Sequence, residues 1–296
     1  MKTDFEGVFT VAVTPFKEDG SFDYEKAKKH LDWQISNGVQ GICLLGATGE
    51  YQSISMDEHK KYVNEIVPYI RDRVKVIVGA TRERSEDVIE LVNNIKASGA
   101  HAAMVLPSPY CHPSQDEIFE HYRYIMEKTE FPLTVYNNPG SCGIRIEEDT
   151  LKRLYELPYT AIIKESSGTI QKLTEILMDS KNKVSVLCGC DNIAYESFAT
   201  GANGWISMLA NVAPHDCVKL FETVYLKKDL ENGWDIYRKL LPGLNTLETF
   251  AKPVQALKYL IDRKTGNGGY SRRPRIPLTE EEKKYVITAM NADNIA

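Results

Sequence analysis

Lys164 follows the short apolar run Ala161-Ile-Ile163 and precedes Glu165-Ser-Ser-Gly168, a turn of small residues. Burial at the end of a strand disfavours an ammonium and draws a lysine down from about 10.4 toward neutrality, the form in which an amine attacks a carbonyl. The chemistry this suggests is a Schiff base. The same stretch also fits a lysine that ends a strand and extends its four-carbon stem to solvent.

Two further stretches suit the first reading. In Gly46-Ala-Thr-Gly-Glu50 the glycines let backbone N–H groups converge into a nest for a carboxylate or phosphate oxygen, with the Thr48 hydroxyl as an added donor; a plain tight turn is the alternative. Tyr136, in Val135-Tyr-Asn-Asn-Pro139, is a phenol able to pass protons near an imine, or an amphipathic residue packed at a strand end. Tyr110, in the proline-shaped loop 107–113, carries the same two readings. Other residues point away from metal chemistry. Cys188-Gly-Cys190 lacks the spacer and second pair of a zinc site, and the six histidines form no His-Glu-x-x-His cluster. Arg272, Arg273 and Arg275 read as a solvated or interface patch.

Something must hold these groups together, and the chain shows a repeating frame. Strand-like runs at 7–15, 41–46, 74–78, 102–106, 133–136, 161–163, 184–187 and 205–208 alternate with helical patterns at 24–37, 56–70, 85–98, 115–128, 147–155, 170–179, 193–199 and 215–224. Asp23 is placed to cap the first helix, and Ser55 with Glu58 forms a capping box on the second. The strands are continuously apolar, as strands buried on both faces are. Eight such units without a linker predict a closed (β/α)8 TIM barrel over residues 1–228, an α/β fold, with chemistry where strands end. A doubly wound sheet is the rival, but no glycine-rich phosphate loop follows the first strand. Residues 229–296 read as a helical extension packed on the barrel, with helices near 234–240, 244–261 and 280–290.

Composition narrows the function classes. With 43% hydrophobic and 26% charged residues, the chain of 296 has ample core for a globular protein. A net charge of -5 gives no electrostatic reason to expect nucleic acid or an anionic membrane, and no run approaches the roughly 20 apolar residues of a membrane span. Six scattered cysteines, several within strand-like runs, read as reduced thiols. Together with a first six residues lacking an apolar signal core, they lead to the expectation of a cytoplasmic protein.

Gly41-x-x-x-x-Gly46-x-Thr48-Gly-Glu50 with Glu58, Tyr136-Asn-Asn-Pro139 and Ile163-Lys164-Glu-Ser, in that order, resemble the dihydrodipicolinate synthase and N-acetylneuraminate lyase family. Segments at 14–16, 113–115, 201–211 and 273–278 extend the resemblance nearly end to end. It implies a class I lyase or aldolase on a (β/α)8 barrel, a 2-oxo acid such as pyruvate as substrate, no metal or organic cofactor, and a homotetramer built as a dimer of dimers. By the same resemblance Lys164 is the imine lysine and Tyr136 the proton shuttle. Ala47 and Thr48 would hold the carboxylate, Gly189 and Ile206 line the pyruvate end, Tyr110 reach into a neighbouring subunit, and Asp191 contact the distal part of a substrate. Two positions depart from the family pattern. Ala47 stands where a Thr or Ser hydroxyl links two tyrosines, and Ser141 where synthases place an arginine for the second substrate's carboxylate. The resemblance therefore leans toward catabolic members that dehydrate, deaminate or cleave hydroxylated 2-oxo acids. A synthase condensing pyruvate with aspartate semialdehyde is the first alternative, and a 2-oxo acid binding protein with weakened catalysis the second.

Overall fold

A computed structural model describes residues 5–290; residues 1–4 and 291–296, at the two ends of the expected barrel and extension, lie outside the described residues. Eight parallel strands close into one barrel: β1 Gly7–Val11, β2 Gly41–Leu44, β3 Lys75–Gly79, β4 Ala102–Val105, β5 Leu133–Asn137, β6 Thr160–Glu165, β7 Ser185–Cys188 and β8 Gly204–Ser207. Each strand pairs with the next, and β1 closes the ring against β8. Closure removes every strand edge and buries both faces, which accounts for the continuously apolar runs.

Alternation along the strands sorts side chains into two cores. Phe9, Cys43, Ile77, Tyr136, Ile162, Leu187 and Ile206 fill the barrel interior. Val8, Ile42, Val76, Val135, Ile163, Val186 and Trp205, their immediate neighbours in sequence, pack outward against the helices. Ile162 points inward and Ile163 outward, so Lys164 falls on the interior face. The strand does not stop at Ile163, as its apolar run suggests. It continues through Lys164 and Glu165, because Asn137 of β5 and Cys188 of β7 keep both flanks paired.

The barrel helices begin where their capping signals stand. The Asp23 side chain accepts from Lys26 N–H, and Ser55 and Glu58 exchange the two bonds of a capping box at the start of helix Met56–Ile70. The extension is partitioned differently from the sequence expectation. One helix, Leu230–Thr249, runs through Pro242, and a second, Pro253–Thr265, starts with proline in its first turn. Proline is an N-terminal signal at 253 but is tolerated inside the helix at 242. A last helix covers Glu280–Ala289. Among the described residues no helix is long and apolar enough to cross a membrane. All six cysteines are free, and only Cys111 is exposed.

Of the arginine segment, read as a solvated or interface patch, Arg273 is exposed while Arg272 and Arg275 are half-buried. Arg272 holds Glu58 through two bonds, Nη2 to Oε1 at 2.6 Å and Nη1 to Oε2 at 2.9 Å, tying the extension to the start of helix Met56–Ile70. The Arg272 hydrogen bonds hold the Glu58 carboxyl down to about 2. A carboxyl depressed in the folded state stabilises above its unfolded pKa, near 4.5, and loses that contribution as pH falls through the folded value. Glu58→Gln should therefore flatten the acid limb of Tm between about pH 4.5 and 2. At pH 7 it should cost about 1 kcal/mol, since the Glu58 side chain is 38% exposed and partly screened. Thermal unfolding at pH 7 and pH 2.5 measures both effects.

Candidate active site

Strand register assembles the centre of the site. Lys164 on β6 lies directly opposite Tyr136 on β5 and Leu187 on β7. Both chemical residues face the interior, and the Lys164 ammonium stands 4.1 Å from the centroid of the Tyr136 ring. Lys164 is 4% exposed and Tyr136 5%, so neither reaches for bulk solvent. The alternative of a snorkelling lysine is thereby ruled out. The Tyr136 hydroxyl accepts a hydrogen bond from Asn138 Nδ2 at 2.7 Å, which orients the phenol from its own loop.

The electrostatics of Lys164 differ from the expectation of a depressed amine. Burial is the largest effect and pulls the ammonium down, but Tyr136, Cys43 and Cys190 push it above the usual lysine value. These neighbours act through their ionised forms, and burial raises the Cys43 thiol to about 11. Where that thiol is un-ionised its upward push is absent, and burial weighs on the ammonium. An ammonium must give up a proton before it can attack a carbonyl, and the Tyr136 phenol stands beside it.

Gly189, just past β7, packs against the lysine stem. Its N–H donates to Glu165 O at 2.8 Å, and a Cβ here would stand 1.8 Å from Ser166 Oγ and 2.9 Å from Lys164 Cε. Any side chain would displace the amine. Gly189→Ala should lower kcat/KM by about 10²-fold, the effect of a shift near 1 Å at a reacting atom, while the far-ultraviolet spectrum stays unchanged. Steady-state kinetics and circular dichroism on the same preparation separate the two. Ser166 Oγ is buried without a hydrogen-bond partner, beside the lysine stem. A buried, unsatisfied hydroxyl is costly, and here it offers a bound molecule a polar contact. Read from residue types alone, that position is only part of a small-residue turn.

The turn after β2 supplies a second polar element. Thr48 is buried, and neither its hydroxyl nor the N–H groups of Ala47 and Thr48 make a hydrogen bond among the described residues. Successive unpaired amides are the groups from which an anion-binding nest is made. Ile206, on β8, lies in the same interior cluster as Tyr136. Tyr51, on the short helix Tyr51–Ser53 that follows the turn, is a further residue near Tyr136 that sequence reasoning passed over. Burial takes its phenol up to about 12, against the opposing charge of Arg82.

Three anticipated residues stand in other surroundings within the chain. Tyr110 is 85% exposed. Ser141 lies exposed in the short helix Pro139–Cys142, where its N–H donates to Asn138 Oδ1 at 3.1 Å. Asp191 is completely buried and fully engaged: Oδ1 accepts from Trp205 Nε1 and Met208 N–H, and Oδ2 from Leu209 N–H at 2.7 Å. It fastens the loop after β7 to the loop after β8, so its side chain is spent on backbone and indole and not held out to a ligand. Burial and then Glu248 raise its carboxyl above the usual carboxylate range. Glu248, from the extension, accepts the Asp191 N–H at 2.6 Å. Among the described residues no group of three His, Cys, Asp or Glu side chains is arranged to hold a metal ion.

The sequence pattern of the dihydrodipicolinate synthetase family matches residues 4–293. The chain belongs to this family. A 4-hydroxy-tetrahydrodipicolinate synthase from Bradyrhizobium diazoefficiens is 33% identical over 289 residues, 98% of this chain and 97% of the relative. One from Neisseria meningitidis serogroup B is 31% identical over 291 residues, covering 97% and 98%. Among solved structures, the dihydrodipicolinate synthase of Acinetobacter baumannii, complexed with pyruvate, superposes with a TM-score of 0.90 at 30% identity, over 98% of this chain and 99% of that one. The Thermotoga maritima enzyme gives 0.92 at 29% identity, over 99% of each. Family members are class I enzymes that form a Schiff base through a lysine, and this chain is an enzyme of that class.

Proposed function

We propose that this protein is a Schiff-base lyase whose substrate is pyruvate or another 2-oxo acid. The observation that carries the reading is the buried Lys164 ammonium 4.1 Å from the Tyr136 ring on the interior face of the barrel. The substrate carboxylate rests on the Ala47 and Thr48 amides and the Thr48 hydroxyl, against the apolar wall of Ile206 and with Gly189 behind the lysine. Lys164 yields its proton through Tyr136, attacks the 2-oxo carbon and loses water to form the imine. The imine then accepts the electron pair released when a bond at the neighbouring carbon breaks, and Tyr136 returns the proton. No cofactor enters these steps. Tyr110, exposed on its loop, is available to complete the site of a second subunit in a homotetramer.

Ser141 in the short helix Pro139–Cys142 offers no cation for a second carboxylate, which favours cleavage, dehydration or deamination of a hydroxylated 2-oxo acid. The names of the relatives favour a second reading, condensation of pyruvate with aspartate semialdehyde. Borohydride reduction in the presence of pyruvate should add a pyruvate-sized mass to Lys164; a label on another lysine, or none, refutes the mechanism. Turnover across hydroxylated 2-oxo acids, beside pyruvate with aspartate semialdehyde, decides between the readings, and binding without turnover of any of them would mark a 2-oxo acid binding protein.

A further inference from the structure

Glu50 closes the turn that follows β2 with φ at 60°, in the left-handed region that a non-glycine residue adopts at a cost. Its side chain is completely buried, and the extension holds it there. Lys258, from helix Pro253–Thr265, donates to Glu50 Oε1 at 2.5 Å and to Tyr270 O at 2.6 Å. Oε2 accepts the Arg272 N–H at 3.0 Å and lies 3.7 Å from Arg275 Nη1. The segment carrying these arginines is itself anchored. Tyr270 and Phe16 exchange backbone hydrogen bonds in both directions, and Arg272 donates to Gly20 O and Ser53 O.

The turn is also gripped through its carbonyls. Ala47 O accepts from Glu50 N–H, Gly46 O from Tyr51 N–H, and Gly49 O from Thr14 Oγ1 at 2.8 Å. The amides of Ala47, Thr48 and Gly49 remain without a partner among the described residues. Stability alone is a poor reason for such an arrangement, because a buried ion pair is commonly no better than well-packed apolar residues of the same volume. Fixing one backbone geometry is a better one.

We propose that Lys258 is a positioning residue for substrate binding: through Glu50 it holds the Ala47 and Thr48 amides in the arrangement that receives the 2-oxo acid carboxylate. The helical extension thereby sets the affinity of a site that the barrel builds. This rests on the reading of Lys164 and the turn given above. The ion pair touches neither the amine nor the phenol, so its effect falls on binding and leaves the chemical step alone.

The test is the pyruvate dependence of borohydride trapping on Lys164, with steady-state kinetics beside it, in the unaltered protein, Lys258→Met, Lys258→Arg and the double variant Glu50→Gln/Lys258→Met. The double variant removes both members of the fully buried Lys258–Glu50 pair, so that neither is left buried without the other. Half-saturating pyruvate and KM should rise about tenfold or more in Lys258→Met and in the double variant, with kcat within about threefold of the unaltered value. Lys258→Arg, which keeps a cation, should recover part of the affinity. Unchanged half-saturation in a folded double variant, or a fall in kcat at constant KM, overturns the positioning role. Failure of the unaltered protein to trap pyruvate on Lys164 overturns instead the reading on which the proposal rests, and shows before any substitution is made.

Discussion

Lys164→Met should lower turnover by about 10⁴-fold or more and abolish borohydride trapping, because no other amine stands where the imine must form. The same change should leave stability level or raise it by about 1 kcal/mol. It replaces a buried ammonium, the partner of no carboxylate in an ion pair among the described residues, with an apolar chain of similar length. Mass spectrometry after reduction, initial rates and a thermal melt on one preparation measure all three. A variant that loses activity together with its cooperative melt would show a structural role. A folded variant that retains turnover would show that the reaction does not pass through Lys164.

Tyr136→Phe should separate proton transfer from imine formation. The ring that packs beside the lysine stem remains, while the hydroxyl that Asn138 Nδ2 orients at 2.7 Å is removed. General acid–base catalysis by a placed side chain contributes about 10² to 10⁴-fold, so kcat should fall within that range while the trapped adduct still accumulates, more slowly. Stability should change by less than about 1 kcal/mol, since Asn138 is partly exposed and water can take its freed N–H. If kcat is untouched, the proton passes elsewhere, and Tyr51, close enough to feel the charge of Tyr136, is the next phenol to replace.

The repeating frame was legible because its signals are local. Period, apolar run length and capping residues such as Ser55 with Glu58 are properties of neighbouring residues, and the strand and helix centres follow them. Boundaries were less so. The apolar run that ends at Ile163 gave no sign that β6 extends through Lys164 and Glu165, since that depends on hydrogen bonds from β5 and β7. Pro242 reads as a stop on its own, yet the helix Leu230–Thr249 runs through it, as packing on the barrel outweighs the missing N–H. Charged residues were the least legible. Arg272 and Glu50 look like surface residues in a sequence, and their burial comes from partners more than 200 positions away. Asp191 shows the converse, a carboxylate that looks available to a ligand but is consumed by three donors of the loop after β8 and its strand.

The sequence by itself determined the fold class and the family and singled out Lys164 and Tyr136 as candidates, because these rest on residue types in a fixed order. Tertiary structure alone decided that Lys164 faces Tyr136, that burial and its neighbours act on the amine in opposite directions, and that the turn after β2 is clamped by the extension. The physical reason is that a pKa and an orientation are set by what surrounds a group in space. For Lys164 those surroundings come from β2, β5 and the loop after β7, which only closure of the barrel brings together.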